Sequence, residues 1–311
     1  MKKILCIDGG GVKGAFPASF LATIEEQVGG SVADYFDLIV GTSTGGIIAL
    51  GLGLGLSARE VLGFYEDWGP RIFARPRRTS IWGLARSLYD NDVLLQALQS
   101  VFGERRLGDS RVRLVIPSLN LQTGEVHLYK TAHHPRFELD YKVPVVEIAC
   151  ATSAAPTYFP TFRSTAGVPH VDGGVWANNP IAVAAVEALT ILDWHAGDVR
   201  ILSLGCTRTP LDVGIGRRVA LGRGYWAFKM VDVFMTAQSQ SALGMAQHLL
   251  GKEYIVRIDP QLAKGKAGLN DISCIPDLVG LGQSEARAAL PSLRNDIVND
   301  PAQLFEPIHH L

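Results

Sequence analysis

Short apolar runs alternate along this chain with longer stretches of helical periodicity. Runs that are apolar on both faces are typical of strands buried inside a parallel sheet. We predict strands at 3–8, 36–40, 113–121, 126–130, 199–204 and 254–258. We predict helices at 16–28, 47–56, 91–102, 145–152, 181–192, 226–250 and 284–293. This alternation predicts an α/β fold with a mostly parallel sheet covered by helices on both faces.

Local signals support several of these boundaries. Ser57 is followed three residues later by Glu60, which is a capping box that opens a helix toward Trp68. The two runs at 113–121 and 126–130 flank a Gln-Thr-Gly-Glu turn and are therefore predicted to form a hairpin. No internal repeat and no linker-like segment interrupts the pattern, so one domain over 1–311 is expected.

The stretch from Leu38 to Ala58 contains no charged residue and is about long enough to span a bilayer. A transmembrane helix is therefore one interpretation. However, a cluster of glycine and threonine at 41–46 divides the stretch into a short strand and a separate helix. A buried strand–turn–helix is the interpretation that we prefer.

Composition excludes several function classes. The 311 residues are 47% hydrophobic and carry a formal net charge of −1, which argues against a partner that is a nucleic-acid polymer. The four cysteines, at 6, 150, 206 and 274, are far apart and suggest neither a disulfide framework nor a zinc site. The apolar run after Met1 stops at Asp8, too early for a signal peptide. We expect a cytoplasmic protein without metal or cofactor.

Gly41-Thr42-Ser43-Thr44-Gly45 fits the pattern G-x-S-x-G where a predicted strand ends and a helix begins. A nucleophile on such a sharp turn has backbone neighbours too close for side chains, so glycines are needed two residues to either side. The helix N-terminus then favours negative charge developing near the hydroxyl. Ser43 is the candidate nucleophile.

Asp8-Gly9-Gly10-Gly11-Val12-Lys13-Gly14 also follows a strand and opens a helix. Consecutive glycines leave backbone N–H groups uncovered, and these can bind an anion such as the oxyanion of acyl transfer. The segment also matches the dinucleotide pattern G-x-G-x-x-G. That pattern requires an acid at the end of the second strand, where this chain has Gly41-Thr42-Ser43. A dinucleotide-binding oxidoreductase therefore remains only as an alternative.

The general base is harder to identify. An α/β-hydrolase would carry a histidine late in the chain, but the histidines offer no evident catalytic setting. They stand at 127, 133, 134, 170, 195, 248, 309 and 310. His170 is the one to consider, since on a strand it would share a face with Asp172, whereas His133 and His134 are expected in a solvated loop. Asp172-Gly173-Gly174 can present a carboxylate, although alone it also fits a loop aspartate that bonds its own turn.

Taken together, four blocks resemble the motif pattern of the patatin-like phospholipases. They are the glycine loop at 8–14, Gly-x-Ser-x-Gly at 41–45, Ser153-Ala154-Ala155-Pro156, and Asp172-Gly173-Gly174. Their order and spacing agree over about residues 3–205, which would leave 206–311 as a C-terminal extension of helices and loops.

The resemblance implies a three-layer α/β/α fold and a lipid acyl hydrolase that cleaves glycerophospholipid esters. It implies a dyad of Ser43 and Asp172 without histidine, and an oxyanion hole formed by Gly10 and Gly11 with Gly9 nearby. The remaining motif positions would support these groups: Asp8, Lys13, Gly14, Gly41, Gly45, Gly173 and Gly174. Position 13 is a lysine, where the family often has arginine. The lysine ammonium keeps the positive charge but cannot make the paired, bidentate hydrogen bonds of a guanidinium.

Two segments mix basic with aromatic and aliphatic residues and suit an anionic membrane surface: Gly69–Leu88 and Gly214–Lys229. A solvated arginine face is the alternative. The chain is also similar to short cytosolic bacterial members of the family, some of which are anti-phage effectors activated by a cyclic oligonucleotide and by self-assembly. We therefore weigh an activated effector that acts peripherally at the inner membrane against a constitutive housekeeping lipase and against a non-catalytic scaffold.

Overall fold

The computed structural model describes residues 1–74, 87–208, 223–262 and 268–311, and between 223 and 232 it describes the backbone together with the side chain of Met230. The strands are β1 Lys2–Ile7, β2 Leu38–Gly41, β3 Arg113–Asn120, β4 Val126–Lys130, β5 Phe162–Arg163, β6 Pro169–Asp172, β7 Val199–Leu204 and β8 Ile255–Ile258. The helices are α1 Ala15–Val28, α2 Thr44–Gly53, α3 Ala58–Ile72, α4 Asn91–Phe102, α5 Val145–Ser153, α6 Gly174–Ala177, α7 Ile181–Val186, α8 Arg223–Leu250 and α9 Ile275–Asp296.

One mixed sheet forms the centre of the described structure. Five strands, in the order β8-β7-β1-β2-β3, run parallel, and β4, β5 and β6 join antiparallel beyond them. The predicted hairpin is present as β3 and β4. The α/β architecture with a mostly parallel sheet is therefore confirmed.

Neighbouring residues of β1 belong to two separate cores, as the period of two along a strand requires. Leu5 and Ile7 pack into the core that contains α1, α2 and α5, whereas Ile4 and Cys6 pack into the core that contains α7 and α8. The sheet is thus covered on both faces, which gives three layers. Apolar residues facing both ways explain why the central strands have uninterrupted hydrophobic runs.

The strands that pair with β3, the last of the five parallel strands, determine where Ser43 and Asp172 lie. β4 pairs with residues 115–119 of β3, so β2 and β6 must use the opposite edge of that strand. β2 pairs with residues 113–115 and runs parallel to β3, whereas β6 pairs with 118–120 and runs antiparallel. The carboxyl ends of β2 and β6 therefore point toward each other along one edge.

The residues after 205 complete the same sheet. β8 pairs in parallel with β7, and α9 packs on α1, where the Ser19 hydroxyl donates to the carbonyl of Val279 at 2.8 Å. The last residues run back to earlier parts of the chain. The N–H of Ala302 donates to the carbonyl of Asp34, and the N–H of Ile308 donates to that of Ala132, both at 2.7 Å.

Some predicted boundaries were wrong. α9 extends over 22 residues where periodicity indicated ten, and the helix predicted at 181–192 changes after Val186 into a π-helical turn at Glu187–Ile191. The uncharged stretch from Leu38 to Ala58 is divided between β2, α2 and the start of α3. Within the described parts of the chain, no helix combines the length and apolarity needed to cross a bilayer.

A buried ionic network ties the glycine loop to the C-terminal part of the sheet. The guanidinium of Arg257, on β8, donates to both carboxylate oxygens of Asp8 at 2.8 and 2.5 Å. It also donates to Ser203 at 2.8 Å and to Asp259 at 3.0 Å. The two carboxylates hold the pKa of Arg257 above its ordinary value. Because Asp8 is the first residue of the glycine loop, β8 holds the start of that loop in place.

We expect Arg257→Met to lower the free energy of unfolding by about 3–5 kcal/mol, because it leaves the Asp8 carboxylate buried without its partner. Urea denaturation measures the change. The exposed Arg208→Met, which removes another cation beside Asp259, is the control and is expected to cost at most about 0.5 kcal/mol. The double variant Asp8→Asn with Arg257→Met is expected to be more stable than Arg257→Met alone, and equal stability of the two would contradict this account.

Candidate active site

Ser43 lies on a strained turn between β2 and α2. Its backbone has φ 56° and ψ −122°, a conformation that L-residues rarely adopt. The turn is possible because the flanking residues lack side chains. A Cβ at Gly41 would lie 2.1 Å from the carbonyl oxygen of Gly45, and a Cβ at Gly45 would lie 2.3 Å from that of Ile7. The glycines of the sequence motif are therefore steric requirements of this turn.

Hydrogen bonds hold the turn in this conformation. The N–H of Ser43 donates to the hydroxyl of Thr152 at 3.0 Å, and that hydroxyl donates to the carbonyl of Pro117 at 2.6 Å. The hydroxyl of Thr42 donates to the carbonyl of Ala177 at 2.7 Å. These bonds link the turn to β3, α5 and α6, so the strain at Ser43 is maintained by the packed structure around it.

Asp172 is the last residue of β6 and meets Ser43 at the junction of the two opposed strand ends. The hydroxyl of Ser43 donates to Oδ2 of Asp172 at 2.6 Å, and the N–H of Gly174 donates to Oδ1, also at 2.6 Å. A Cβ at Gly173 would lie 2.3 Å from the carbonyl oxygen of Pro117, so this position needs glycine for the turn to pack on β3. The two residues predicted as a dyad are therefore in direct contact.

Burial changes the acid–base character of Asp172. The side chain is almost fully enclosed, and loss of solvation raises the pKa of its carboxyl from 3.8 to about 6. Hydrogen bonds from Ser43 and Gly174 oppose this rise because they favour the charged form. The result is a carboxylate that is a stronger base than an ordinary aspartate while still ionised at neutral pH.

The glycine loop lies beside this pair. A Cβ at Gly9 would lie 3.2 Å from Cβ of Ser43, which places the loop against the hydroxyl-bearing turn. Gly9 donates its own N–H to the carbonyl of Asn178 at 2.9 Å. No acceptor within the described residues takes the N–H of Gly10 or that of Gly11. The amide groups of Gly10 and Gly11 are therefore without an acceptor in the described part of the chain, as the predicted oxyanion hole would require.

Close packing on both sides shapes the loop. A Cβ at Gly10 would lie 2.3 Å from Cβ of Cys206, and a Cβ at Gly11, which has φ 58°, would lie 2.3 Å from the carbonyl oxygen of Leu269. That carbonyl accepts the N–H of Val12 at 2.9 Å. Residues beyond the motif-bearing part of the chain thus fix the conformation of the two glycines.

The remaining motif residues have supporting positions. A Cβ at Gly14 would lie 2.3 Å from the hydroxyl of Thr44, so glycine lets the loop pack against the start of α2. The ammonium of Lys13 donates to the carbonyl of Thr207 at 3.1 Å and forms no ion pair with any described carboxylate. The carboxylate of Asp8 is bound by Arg257.

The histidines do not join the dyad. His170 is buried, and its Nδ1 lies 3.2 Å from the hydroxyl of Ser118, with Nε2 3.4 Å from that of Tyr129. The expectation of a solvated loop was wrong for His133, which is buried and hydrogen-bonded to Glu187 at 2.9 Å. Loss of solvation lowers the pKa of both histidines, so burial disfavours their charged forms.

Sequence reasoning missed several residues near the site. Thr152, which immediately precedes the Ser-Ala-Ala-Pro block, supports the backbone of Ser43. Oδ1 of Asn178 is buried without a hydrogen-bond partner among the described residues, and it would lie 2.5 Å from a Cβ at Gly9. No sequence signal singled these residues out, because their roles depend on contacts between distant segments. The basic segments at 69–88 and 214–229 lie largely outside the described residues, so their predicted membrane contact stays a prediction.

Comparison with known proteins finds a family model and several relatives that match this chain. The model of the patatin-like phospholipase family matches residues 5–185. A cGAMP-activated phospholipase of Pseudomonas aeruginosa is 36% identical over 278 residues, covering 87% of this chain and 83% of that protein. A cGAMP-activated phospholipase of Vibrio cholerae is 40% identical over 65% of this chain and 63% of its own length. Patatin-like protein 1 of Oryza sativa subsp. indica is 29% identical over 90% of this chain and 80% of that protein.

Replacing Asp172 by asparagine is expected to stabilise the fold at pH 7, because the variant no longer buries a charge. Asparagine keeps an acceptor for Gly174, and Ser43 can accept from the new amide. Thermal unfolding followed by circular dichroism should show a higher midpoint for Asp172→Asn than for the wild type. The difference between the two midpoints should shrink as the pH falls from 6 to about 4. Over this range Asp172 takes up a proton in the folded wild type but stays ionised in the unfolded chain, so the wild type gains stability. A lower midpoint for the variant at pH 7 would contradict the proposed desolvation.

Proposed function

The chain belongs to the patatin-like phospholipase family, whose members hydrolyse lipid esters, and we propose that Ser43 and Asp172 release fatty acids from membrane glycerophospholipids. The observation that carries the proposal is the 2.6 Å hydrogen bond from the Ser43 hydroxyl to a buried carboxylate. It joins a candidate nucleophile to a candidate base, which is the pairing that covalent acyl transfer requires.

In the acylation step, Asp172 removes the hydroxyl proton while Oγ of Ser43 attacks the ester carbonyl carbon. The carbonyl oxygen becomes negative and accepts hydrogen bonds from Gly10 and Gly11. Collapse of this intermediate breaks the bond to the glycerol oxygen, which takes the proton from Asp172 and leaves as an alcohol. One lost donor in such an oxyanion hole costs about 2.7–4 kcal/mol of transition-state stabilisation.

In the deacylation step, a water molecule takes the place of the alcohol. Asp172 accepts one of its protons, the hydroxide oxygen bonds to the acyl carbon, and the oxyanion again faces the glycine amides. The fatty acid leaves when the bond to Oγ of Ser43 breaks and the proton returns to that oxygen. A single base serves both steps because it is regenerated after each one.

The position of the carboxyl pKa supports this role. A general base works best when its pKa lies near the working pH, and burial brings that of Asp172 to about 6. The carboxylate therefore remains ionised at neutral pH and still holds a proton more readily than an exposed aspartate. His170 takes no part in proton transfer, because its two ring nitrogens are within hydrogen-bond distance of the hydroxyls of Ser118 and Tyr129.

We extend the proposal to regulation by a cyclic oligonucleotide and to anti-phage defence. Two of the relatives carry the name cGAMP-activated phospholipase, and one of them aligns with 87% of this chain. The enclosed dyad is compatible with a latent enzyme, since Ser43 is only 9% exposed and an acyl chain needs an open path to it. On this proposal, the nucleotide and self-assembly open the site at the inner membrane surface. A constitutive housekeeping lipase is the alternative.

We expect Ser43→Ala and Asp172→Asn each to abolish phospholipid hydrolysis, since each removes one half of the dyad, whereas His170→Ala retains most of it. Fatty-acid release from vesicles is the measurement, and thermal unfolding shows whether each variant is folded. A fluorophosphonate probe should label the wild type and His170→Ala but not Ser43→Ala. A folded His170→Ala protein without activity would overturn the dyad.

Adding a cyclic dinucleotide should raise the hydrolysis rate at least about tenfold if the enzyme is latent, because the ligand shifts the population toward an open state. The purified chain is assayed with and without cGAMP, and linear dinucleotides serve as the control. Full activity of the isolated protein without any nucleotide would favour the constitutive lipase instead.

A further inference from the structure

Helix α8 runs past the active-site end of the sheet. β7 and β8 are parallel and α8 connects them, so α8 begins at the end of the sheet where β7 stops and descends toward the start of β8. That first end carries the carboxyl termini of the parallel strands, including β2 and therefore Ser43. The last part of α8 is packed on the sheet, where Ala242, Ala246 and Leu250 are buried.

Hydrogen bonds fix α8 beside the dyad. Gln238 accepts the N–H of Asn179 at 3.1 Å and donates to its carbonyl at 3.3 Å. The amide of Asn179 also donates to the hydroxyl of Ser239 at 3.3 Å. Asn179 follows Asp172 by seven residues and comes two residues after the end of α6. The middle of α8 is therefore anchored close to the catalytic carboxylate.

The part of α8 that precedes this anchor exposes large apolar side chains. Met230 is 43% exposed and Phe234 is 62% exposed. At 1.5 Å per residue, Met230 lies about 12 Å along the helix axis from Gln238, in the direction that leads away from the packed half. These two side chains are thus displayed beyond the point at which the helix is anchored next to the site.

The apolar surface continues as a stripe along the helix. Met245 and Leu249 are also exposed, and with a rotation of about 100° per residue they share an arc of roughly 100° with Met230 and Phe234. Gln238, Ser241 and His248 lie within the same arc, so between Met230 and Leu249 it carries no acidic side chain and no lysine or arginine, and Gln238, which is bonded to Asn179, separates its two apolar halves. Four large apolar side chains exposed on one side of a helix are a candidate interaction site.

The proposed phospholipid substrate and the basic residues near the start of α8 in the sequence both favour a phospholipid surface as the partner of this helix. Residues 212–232 contain Arg217, Arg218, Arg223 and Lys229, and their acidic residues are Asp212 and Asp232 at the two ends, so the segment carries a net charge of +2 (4 − 2). Basic residues that adjoin an apolar helix segment in the sequence favour an anionic phospholipid surface, where charges attract headgroups and apolar side chains enter the acyl region. A hydrolase of membrane phospholipids must also bring its site to that surface.

We propose that Met230 and Phe234, at the active-site end of α8, dock the enzyme on an anionic phospholipid bilayer and thereby bring the dyad to its substrate. This inference rests on the proposed phospholipid substrate. The other half of the stripe, Met245 and Leu249, lies farther from that end and remains outside the membrane contact.

The test compares one substitution in each half of the stripe. In a Ser43→Ala background, which prevents hydrolysis, Phe234→Glu is expected to reduce flotation with phosphatidylglycerol–phosphatidylethanolamine vesicles about tenfold or more, because a charge replaces a large apolar group. Met245→Glu is the matched control, with an exposed apolar residue on the same face, and is expected to float like the parent. All samples contain cGAMP.

Activity of the same substitutions in the otherwise wild-type chain completes the test. The ratio of vesicle hydrolysis to hydrolysis of a monomeric short-chain ester should fall about tenfold for Phe234→Glu and stay constant for Met245→Glu. Equal effects of the two substitutions would overturn the proposal, as would a change in oligomeric state with unchanged flotation, which would identify the stripe as a contact between copies of the chain. If the wild type hydrolyses no lipid ester, the proposed function fails, while flotation still reports on docking.

Discussion

The site depends on two strand ends that meet along one edge of β3. β2 arrives parallel to β3 and β6 antiparallel, so Ser43 and Asp172 face each other across the short gap between them. Thr152 spans this gap from α5, since its hydroxyl joins the backbone of Ser43 to the carbonyl of Pro117. Because the two strands run in opposite directions along this edge, their carboxyl ends meet and the Ser43 hydroxyl lies 2.6 Å from the Asp172 carboxylate.

Close backbone approach is the second constraint, and it reaches beyond the part of the chain that matches the family. Gly41, Gly45 and Gly173 have no room for a side chain because other backbones lie against them. Gly10 and Gly11 are confined by Cys206 and Leu269, and Asp8 is held by Arg257. The C-terminal region therefore supports the geometry of the candidate site, and a change there can alter the backbone amides of Gly10 and Gly11 without touching Ser43 or Asp172.

Electrostatics and access act in opposite directions at this site. Enclosure of Asp172 raises its pKa and makes it a more effective base, but the same enclosure leaves little of Ser43 open to a lipid. The described state therefore combines a formed dyad with restricted entry. If α8 docks on the bilayer, the lipid surface is brought to the end of the sheet where entry has to occur, so activation and docking would act on the same part of the fold.

The sequence alone determined the order of the longer strands and helices, the turn at Ser43 and the glycine loop, because hydrophobic periodicity and steric need for glycine are local properties. It also identified Asp172, but only through the resemblance to a family, since nothing local distinguishes that aspartate from one in an ordinary turn. It missed the short elements β5 and α6. The full extent of α9, the burial of His133 and the roles of Thr152, Asn178 and Arg257 came only from the tertiary structure. These features arise from contacts between residues far apart in the chain, and the distance between a hydroxyl and a carboxylate 129 residues away is set by the pairing of strands.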